Sequence, residues 1–260
     1  SNARNLWMGT FHSIFARVLR AEAKHLGFES DFSIYDSDDS KSVLRGIVKE
    51  WGLDDKLYKI NTLASRISSL KNKLIGPQDL PNHPNFIEEE LLAGRKRFPE
   101  LFVEYQKRLF KSGAMDFDDL LYKTWWLFNT NPEVLYKYQH RFHFILVDEY
   151  QDTNPVQYEI IKMLSAVFRN ICVVGDHAQS IYSFRHRVAY CFRWRHRCAA
   201  VLVRFDVFHP VYHQLPIISG PFDTGNIDIA LFVLCLCLGV LVDIVNVDLH
   251  YRVVVSGLGI

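Results

Sequence analysis

Lysine and glutamate are absent from the last 75 residues of this 260-residue chain. Residues 186–260 carry 6 Arg and 5 Asp, whereas residues 1–185 carry 24 basic and 24 acidic side chains. An ordinary soluble stretch of that length holds both missing types, so the two parts do not share one sequence history. Charge of one sign is also lacking. With a formal net charge of +1, any nucleic-acid partner must be met by local patches rather than by a global basic field. No run reaches the roughly 20 apolar residues that a membrane span needs. "IALFVLCLCLGVLV" (229–242) stops at 14 residues between Asp228 and Asp243, and reads as a buried strand pair or an aggregation-prone segment. Of the five cysteines only Cys172 precedes residue 186, where it reads as a small buried hydrophobe. The tail mixture of His186, Cys191, His196 and Cys198 lacks a regular C-x-x-C knuckle, which counts against zinc. No signal peptide opens the chain. "SNA" (1–3) has the form of a tag scar and is set aside, so Arg4 is expected to be the first native residue of a chain that starts inside a larger protein.

What is present reads coherently up to residue 185. "NLWMGT" (5–10) predicts a strand, and the helix after it places Ile14, Phe15, Val18 and Leu19 on one face, with Gly27 past its end. Ser37 is the expected cap of a helix that stops at Gly52. Helices are predicted near 62–74 and over 95–111, where Phe98, Leu101, Phe102, Tyr105 and Leu109 form one stripe, with "GPQDLPNHPN" (76–85) a loop between them. Residues 31–110 thus read as an all-helical insertion. Helices at 117–128, 132–140 and 155–168 then alternate with strands at 142–148 and 171–175. Apolar strands alternating with helices predict an α/β fold, a parallel sheet covered on both faces.

"FILVDEYQDTNPVQ" (144–157) ends an apolar run in Asp148 and Glu149, with Asp152 further on. Acids at a strand end lie on the ligand edge of an open α/β sheet. One carboxylate there can hold Mg²⁺ while its neighbour polarises a water. The plainer reading is that both acids cap the helix beginning near Asn154. "ICVVGDHAQSIYSFR" (171–185) repeats the pattern, with Gln179 suited to bond a terminal phosphate. Tyr182, Phe184 and Arg185 interleave rings with a cation, as unpaired bases and their phosphates require, although two core aromatics would look the same.

Four blocks, "GTFHS" (9–13), "MDFDDLL" (115–121), "ILVDEYQDTNPVQ" (145–157) and "VVGDHAQSIYSFR" (173–185), resemble the superfamily 1 DNA helicases of the UvrD/PcrA/Rep type. The resemblance implies a partial RecA-like parallel sheet of the P-loop NTPase class with an all-helical inserted subdomain. Residues 4–30 and 111–185 would form part of motor domain 1A, residues 31–110 the insertion 1B. It implies ATP and Mg²⁺ as cofactors: Asp148 serving the metal, Glu149 the hydrolytic water and Gln179 the γ-phosphate. Thr10, His12, Tyr182, Phe184 and Arg185 would face single-stranded DNA. The partners implied are single strands and duplex junctions, with repair or replication proteins besides, in the cytoplasm and away from membranes.

The match is incomplete. No G-x-x-x-x-G-K-[ST] loop occurs in the printed residues, and no second motor domain is recognisable, so this chain alone is expected to be inactive. His177, His186 and Arg187 depart from the family pattern. The likeness stops at 186, and the unmatched tail is expected to come from a frameshift or cloning artefact, with an unrelated natural domain as the alternative. Two other functions stay open: a non-catalytic single-strand-binding or partner-docking module, and a metal-dependent nuclease using Asp148, Glu149 and Asp152.

Overall fold

The computed structural model describes residues 6–175 and the strands at 198–202 and 253–256. It is a mixed α/β chain of two compact units. The first comprises residues 1–10, 139–153 and 164–260, and the second residues 11–138 and 154–163.

The first unit is built on a five-stranded sheet. In chain order its strands are β1 (Leu6–Gly9), β4 (Phe144–Val147), β5 (Ile171–Gly175), β6 (Cys198–Leu202) and β7 (Val253–Ser256), arranged β1-β7-β4-β5-β6. Pairing of β4 with β5 and of β5 with β6 is parallel, so the C-terminal ends of β4 and β5 share one edge. The expected all-parallel sheet is corrected at one position: β7 enters between β1 and β4 antiparallel to both. Coverage of both faces is also not seen in β1, where Trp7 is buried but Leu6 and Met8 are exposed. Trp7 packs edge-on against Phe142 at 5.2 Å, with the Arg141 guanidinium over its ring.

The second unit holds the helices and a small parallel sheet, β2 (Ser33–Tyr35) beside β3 (Ala114–Asp116). The stretch read as wholly helical therefore carries one strand. Each strand runs directly into an acid-capped helix, β2 into α2 (Ser37–Glu50) and β3 into α6 (Phe117–Thr130). The cap of α2 is Asp36, one residue before the expected Ser37. Its Oδ1 accepts the N–H groups of Asp38 and Asp39, both at 2.8 Å. Asp116 caps α6 the same way, accepting from Asp119 N at 2.8 Å. A side-chain acceptor satisfies helix-end donors that would otherwise stay open.

Helix α1 (Phe11–Ala21) packs on α6, and α2 packs on both α3 (Ile60–Asn72) and α5 (Phe98–Lys111). Leu44, Ile47, Leu63, Ile67, Leu70 and the predicted α5 stripe form their shared core. Full burial of each such side chain contributes about 1.5–3 kcal/mol against exposure. Helix α4 (Pro84–Leu92) starts in the last two residues of the predicted loop, with Pro84 as its first residue, and runs on through a stretch for which the sequence predicts no element. Glu90 of α4 is almost fully buried because Arg66 and Arg95 both pair with it, at 2.5 and 2.6 Å. Helices α7 (Pro132–Arg141) and α8 (Pro155–Ser165) complete the described helices.

Candidate functional site

The acids of the first unit stand where the strand pattern predicted. Asp148 follows β4 directly and is exposed, while Glu149 is half-buried and Tyr150 buried. The desolvation that makes a buried carboxylate costly therefore does not apply to Asp148. Its Oδ1 accepts the N–H of Glu149 at 2.9 Å. Glu149 adopts φ 51°, ψ 40°, a left-handed conformation rare for a residue other than glycine. The chain then closes a 3₁₀ turn over Tyr150–Asp152: Asp152 N donates to Glu149 O, and Thr153 donates to Tyr150 O through both N–H and hydroxyl. Strained backbone held by local bonds at a pair of acids is a frequent mark of a functional site.

Capping is not the reason for these acids. Asn154 caps α8 itself, its Oδ1 accepting Gln157 N at 2.9 Å while its own N–H donates to Gln157 Oε1 at 2.8 Å. Among the described residues no three His, Cys, Asp or Glu side chains converge into a metal cluster. A single exposed carboxylate suits Mg²⁺, which keeps several waters and takes one or two carboxylates beside substrate phosphates. It suits zinc poorly.

In the second unit His12 lies in the first turn of α1. Its ring centroid is 5.4 Å from that of Phe117, the first residue of α6. Burial holds the imidazole below its ordinary pKa, opposed by the negative charge of Asp118. His12 is therefore a neutral hydrogen-bonding group at neutral pH. Phe117 is 53% exposed, and sequence reasoning missed it. Helical spacing assigns it to the same stripe as Leu120, Leu121 and Thr124, all buried, so its periodicity points inward. Only its place at the helix start, before the stripe meets the core, could have revealed it.

Beneath Phe117 the acids of "MDFDDLL" are fully engaged. Lys71, 1% exposed, lies 2.5 Å from Asp116 Oδ2 and 2.9 Å from Asp119 Oδ1. Both contacts are ion pairs. Tyr105 donates its hydroxyl to Asp116 at 2.8 Å. Burial disfavours the charge on Lys71, but the two carboxylates more than offset it and raise its pKa. Burial and the neighbouring Asp119 push Asp116 up; Asp119, against its own burial, is held low by Lys71 and Lys123. Asp118 accepts from Asn72 Nδ2 at 2.8 Å.

The structure thus brings His12 beside Phe117 and Asp118. Asp148 and Glu149 lie on the strand edge of the other unit, which also contains Thr10. Gln179, Tyr182, Phe184 and Arg185 lie outside the described residues, as do His177, His186, Arg187, Cys191 and His196. Cys172 is half-buried rather than buried. Among the described residues no helix is long and apolar enough to cross a membrane.

An α/β unit with acids at the carboxyl end of parallel strands presents them on the edge where open α/β sheets bind ligands. The profile of the UvrD/REP helicase N-terminal domain matches residues 1–191, and the chain belongs to that family. It is 42% identical over 183 residues to "ATP-dependent DNA helicase PcrA" of Staphylococcus epidermidis, a match covering 70% of this chain and 24% of the relative. Identity, length and coverage are the same for the PcrA helicase of Staphylococcus aureus. The chain spans about a quarter of the length of these curated relatives.

Proposed function

We propose that this chain supplies the first motor half of an ATP-driven DNA helicase that translocates on single strands and opens duplex junctions. Its core would be a partial RecA-like domain, residues 4–30 and 111–185, carrying residues 31–110 as an inserted subdomain. The observation that carries the reading is the edge formed by β4 and β5. Their parallel pairing sets Asp148–Glu149 and the end of β5 side by side, four residues before Gln179 in the chain.

Asp148, exposed at that edge, would hold Mg²⁺ together with ATP phosphate oxygens. Bound there, the metal neutralises charge on the transferred phosphoryl group. Glu149 would orient the attacking water and accept its proton, its carboxylate aimed by the left-handed backbone. Gln179 would bond the γ-phosphate as a neutral amide. On the DNA side, Thr10 and a neutral His12 would donate to backbone phosphates, while Phe117, Tyr182 and Phe184 offer stacking faces and Arg185 a cation. Stacking is worth about 1–3 kcal/mol per base. Repair or replication proteins in a cytoplasmic setting are the partners this reading expects.

The polypeptide of these 260 residues, lacking a phosphate-cradling G-x-x-x-x-G-K-[ST] loop, should bind single strands weakly and hydrolyse no ATP. Fluorescence anisotropy with a labelled oligonucleotide tests the first half. Phe117→Ala, Tyr182→Ala and Phe184→Ala should each weaken binding in a salt-sensitive, sequence-tolerant way. Affinity unchanged by all three would remove the stacking assignment. Binding that persists while a longer helicase containing this segment hydrolyses no ATP would favour the second reading, a non-catalytic single-strand-binding module.

A further inference from the structure

We propose that Asn72, on the last turn of α3, is a positioning residue that links the DNA-facing start of α6 to the segment bearing the catalytic acids. The proposal rests on the helicase reading above. Asn72 Nδ2 donates to Asp118 Oδ1 at 2.8 Å, and its Oδ1 accepts from Asn154 Nδ2 at 2.6 Å. Asn154 in turn accepts Gln157 N at 2.9 Å at the head of α8. The direction of every amide in this chain is fixed from its two ends. An ionised Asp118 can only accept, so Asn72 must turn its NH₂ toward it; Gln157 N–H can only donate, so Asn154 must turn its oxygen there. The remaining atoms then meet donor to acceptor.

Both ends are places where a ligand would act. Asp118 follows Phe117, and its charge is the one felt by His12. Asn154 follows Thr153, which closes the turn begun by Glu149, so only four residues separate it from that acid in the chain. Packing alone does not call for Asn72. Its neighbour Lys71 already ties α3 to α6 through Asp116 and Asp119, a buried ion pair that fixes where Asn72 sits. Ser68 holds the remaining donor of the amide, through its carbonyl at 2.9 Å and its hydroxyl at 3.3 Å. Asn72 therefore has one rigid orientation, in which a shift at Phe117–Asp118 is passed to the start of α8.

The test uses the full-length helicase that carries this segment, with ATP hydrolysis measured with and without an oligo-dT strand. Asn72→Asp sets a carboxylate against Asp118 and should cut the stimulation by DNA about tenfold, a usual size for coupling between sites, while basal hydrolysis holds. Asn72→Asp combined with Asp118→Asn reverses donor and acceptor between these two residues and keeps an acceptor for Asn154, but sets an oxygen where the Ser68 carbonyl had a donor, so it should bring back part of the stimulation. Thermal unfolding midpoints accompany each measurement, because a merely structural role would move them and leave the ratio of stimulated to basal rate unchanged. Stimulation that survives Asn72→Asp, or that in the double variant stays no higher than in Asn72→Asp at a wild-type unfolding midpoint, overturns the proposal. A wild-type protein with no DNA-stimulated hydrolysis overturns the helicase reading instead, and the proposal with it.

Discussion

Asp116, Asp118 and Asp119 of "MDFDDLL" and Asp148 with Glu149 of "ILVDEYQD" are acid clusters of similar composition, each where a strand ends. Their surroundings are opposite. Asp116 and Asp119 are buried and held by Lys71, Tyr105 and a helix cap, and Asp118 is held by Asn72. Asp148 stands in solvent, bonded to the backbone of its neighbour. A buried carboxylate is stable only with its charge matched, and once matched it has little left to offer a ligand. An exposed one at a sheet edge costs little and keeps its lone pairs available to a cation. What an acid does is decided by its partners rather than by its motif.

The sharpest way to break this contrast is to remove the shared cation. Lys71→Met leaves two carboxylates buried against each other and should cost about 3–5 kcal/mol, read as a loss of urea-unfolding free energy; a loss below about 1 kcal/mol would mean that the acids are not dependent on Lys71. The next largest effect is expected at Gly76, where a Cβ would overlap the Tyr122 hydroxyl. Burial, and then the charge of Asp79, push that tyrosine up to about 12, so it stays a neutral phenol held by Gln78. Gly76→Ala should cost about 1–3 kcal/mol by the same measurement, and Gly76→Ala with Tyr122→Phe should recover part of it.

Matched substitutions compare the clusters directly. Asp119→Asn removes one carboxylate from a buried lysine and should destabilise measurably. Asp148→Asn should stay within about 0.5 kcal/mol of wild type, as surface changes do. Equal losses at the two positions would end the distinction. The smallest effect concerns His12. Its folded pKa lies below the ordinary 6.5, so the unfolded chain binds more protons at this group, and its contribution to stability falls as pH drops below about 6.5. His12→Gln should flatten that part of the stability–pH curve. A phosphate against the ring would favour protonation, so DNA affinity should rise toward acid pH in wild type and less so in His12→Gln.

Much of the fold was legible because its signals are local. The apolar run of β4, the stripe of α5 and the acid-rich starts of α2 and α6 each lie within one element. Boundaries failed where two residues could do the same work: Asp36 and Ser37 both suit a cap. Helix α4 was hidden because Pro84 reads as loop although it also opens helices. Strands β2 and β3, three residues each, are too short to show a period. The partners of Lys71 were out of reach, since Asp116 lies 45 positions away in sequence. For the candidate site, Asp148 and Glu149 were legible as acids after an apolar strand, but the left-handed backbone at Glu149 leaves no sequence signal, and the exposure of Phe117 only its place at the start of α6.

The central claim, that the acids at the end of β4 serve ATP hydrolysis while the buried ones of "MDFDDLL" serve the fold, is tested most directly at Glu149. In the full-length helicase carrying this segment, Glu149→Gln keeps the shape and removes the carboxylate that would take the proton. DNA-stimulated ATP hydrolysis should fall by about 10²–10⁴-fold, the usual contribution of a general base, with an unchanged unfolding midpoint. Hydrolysis at the wild-type rate in Glu149→Gln would contradict the account.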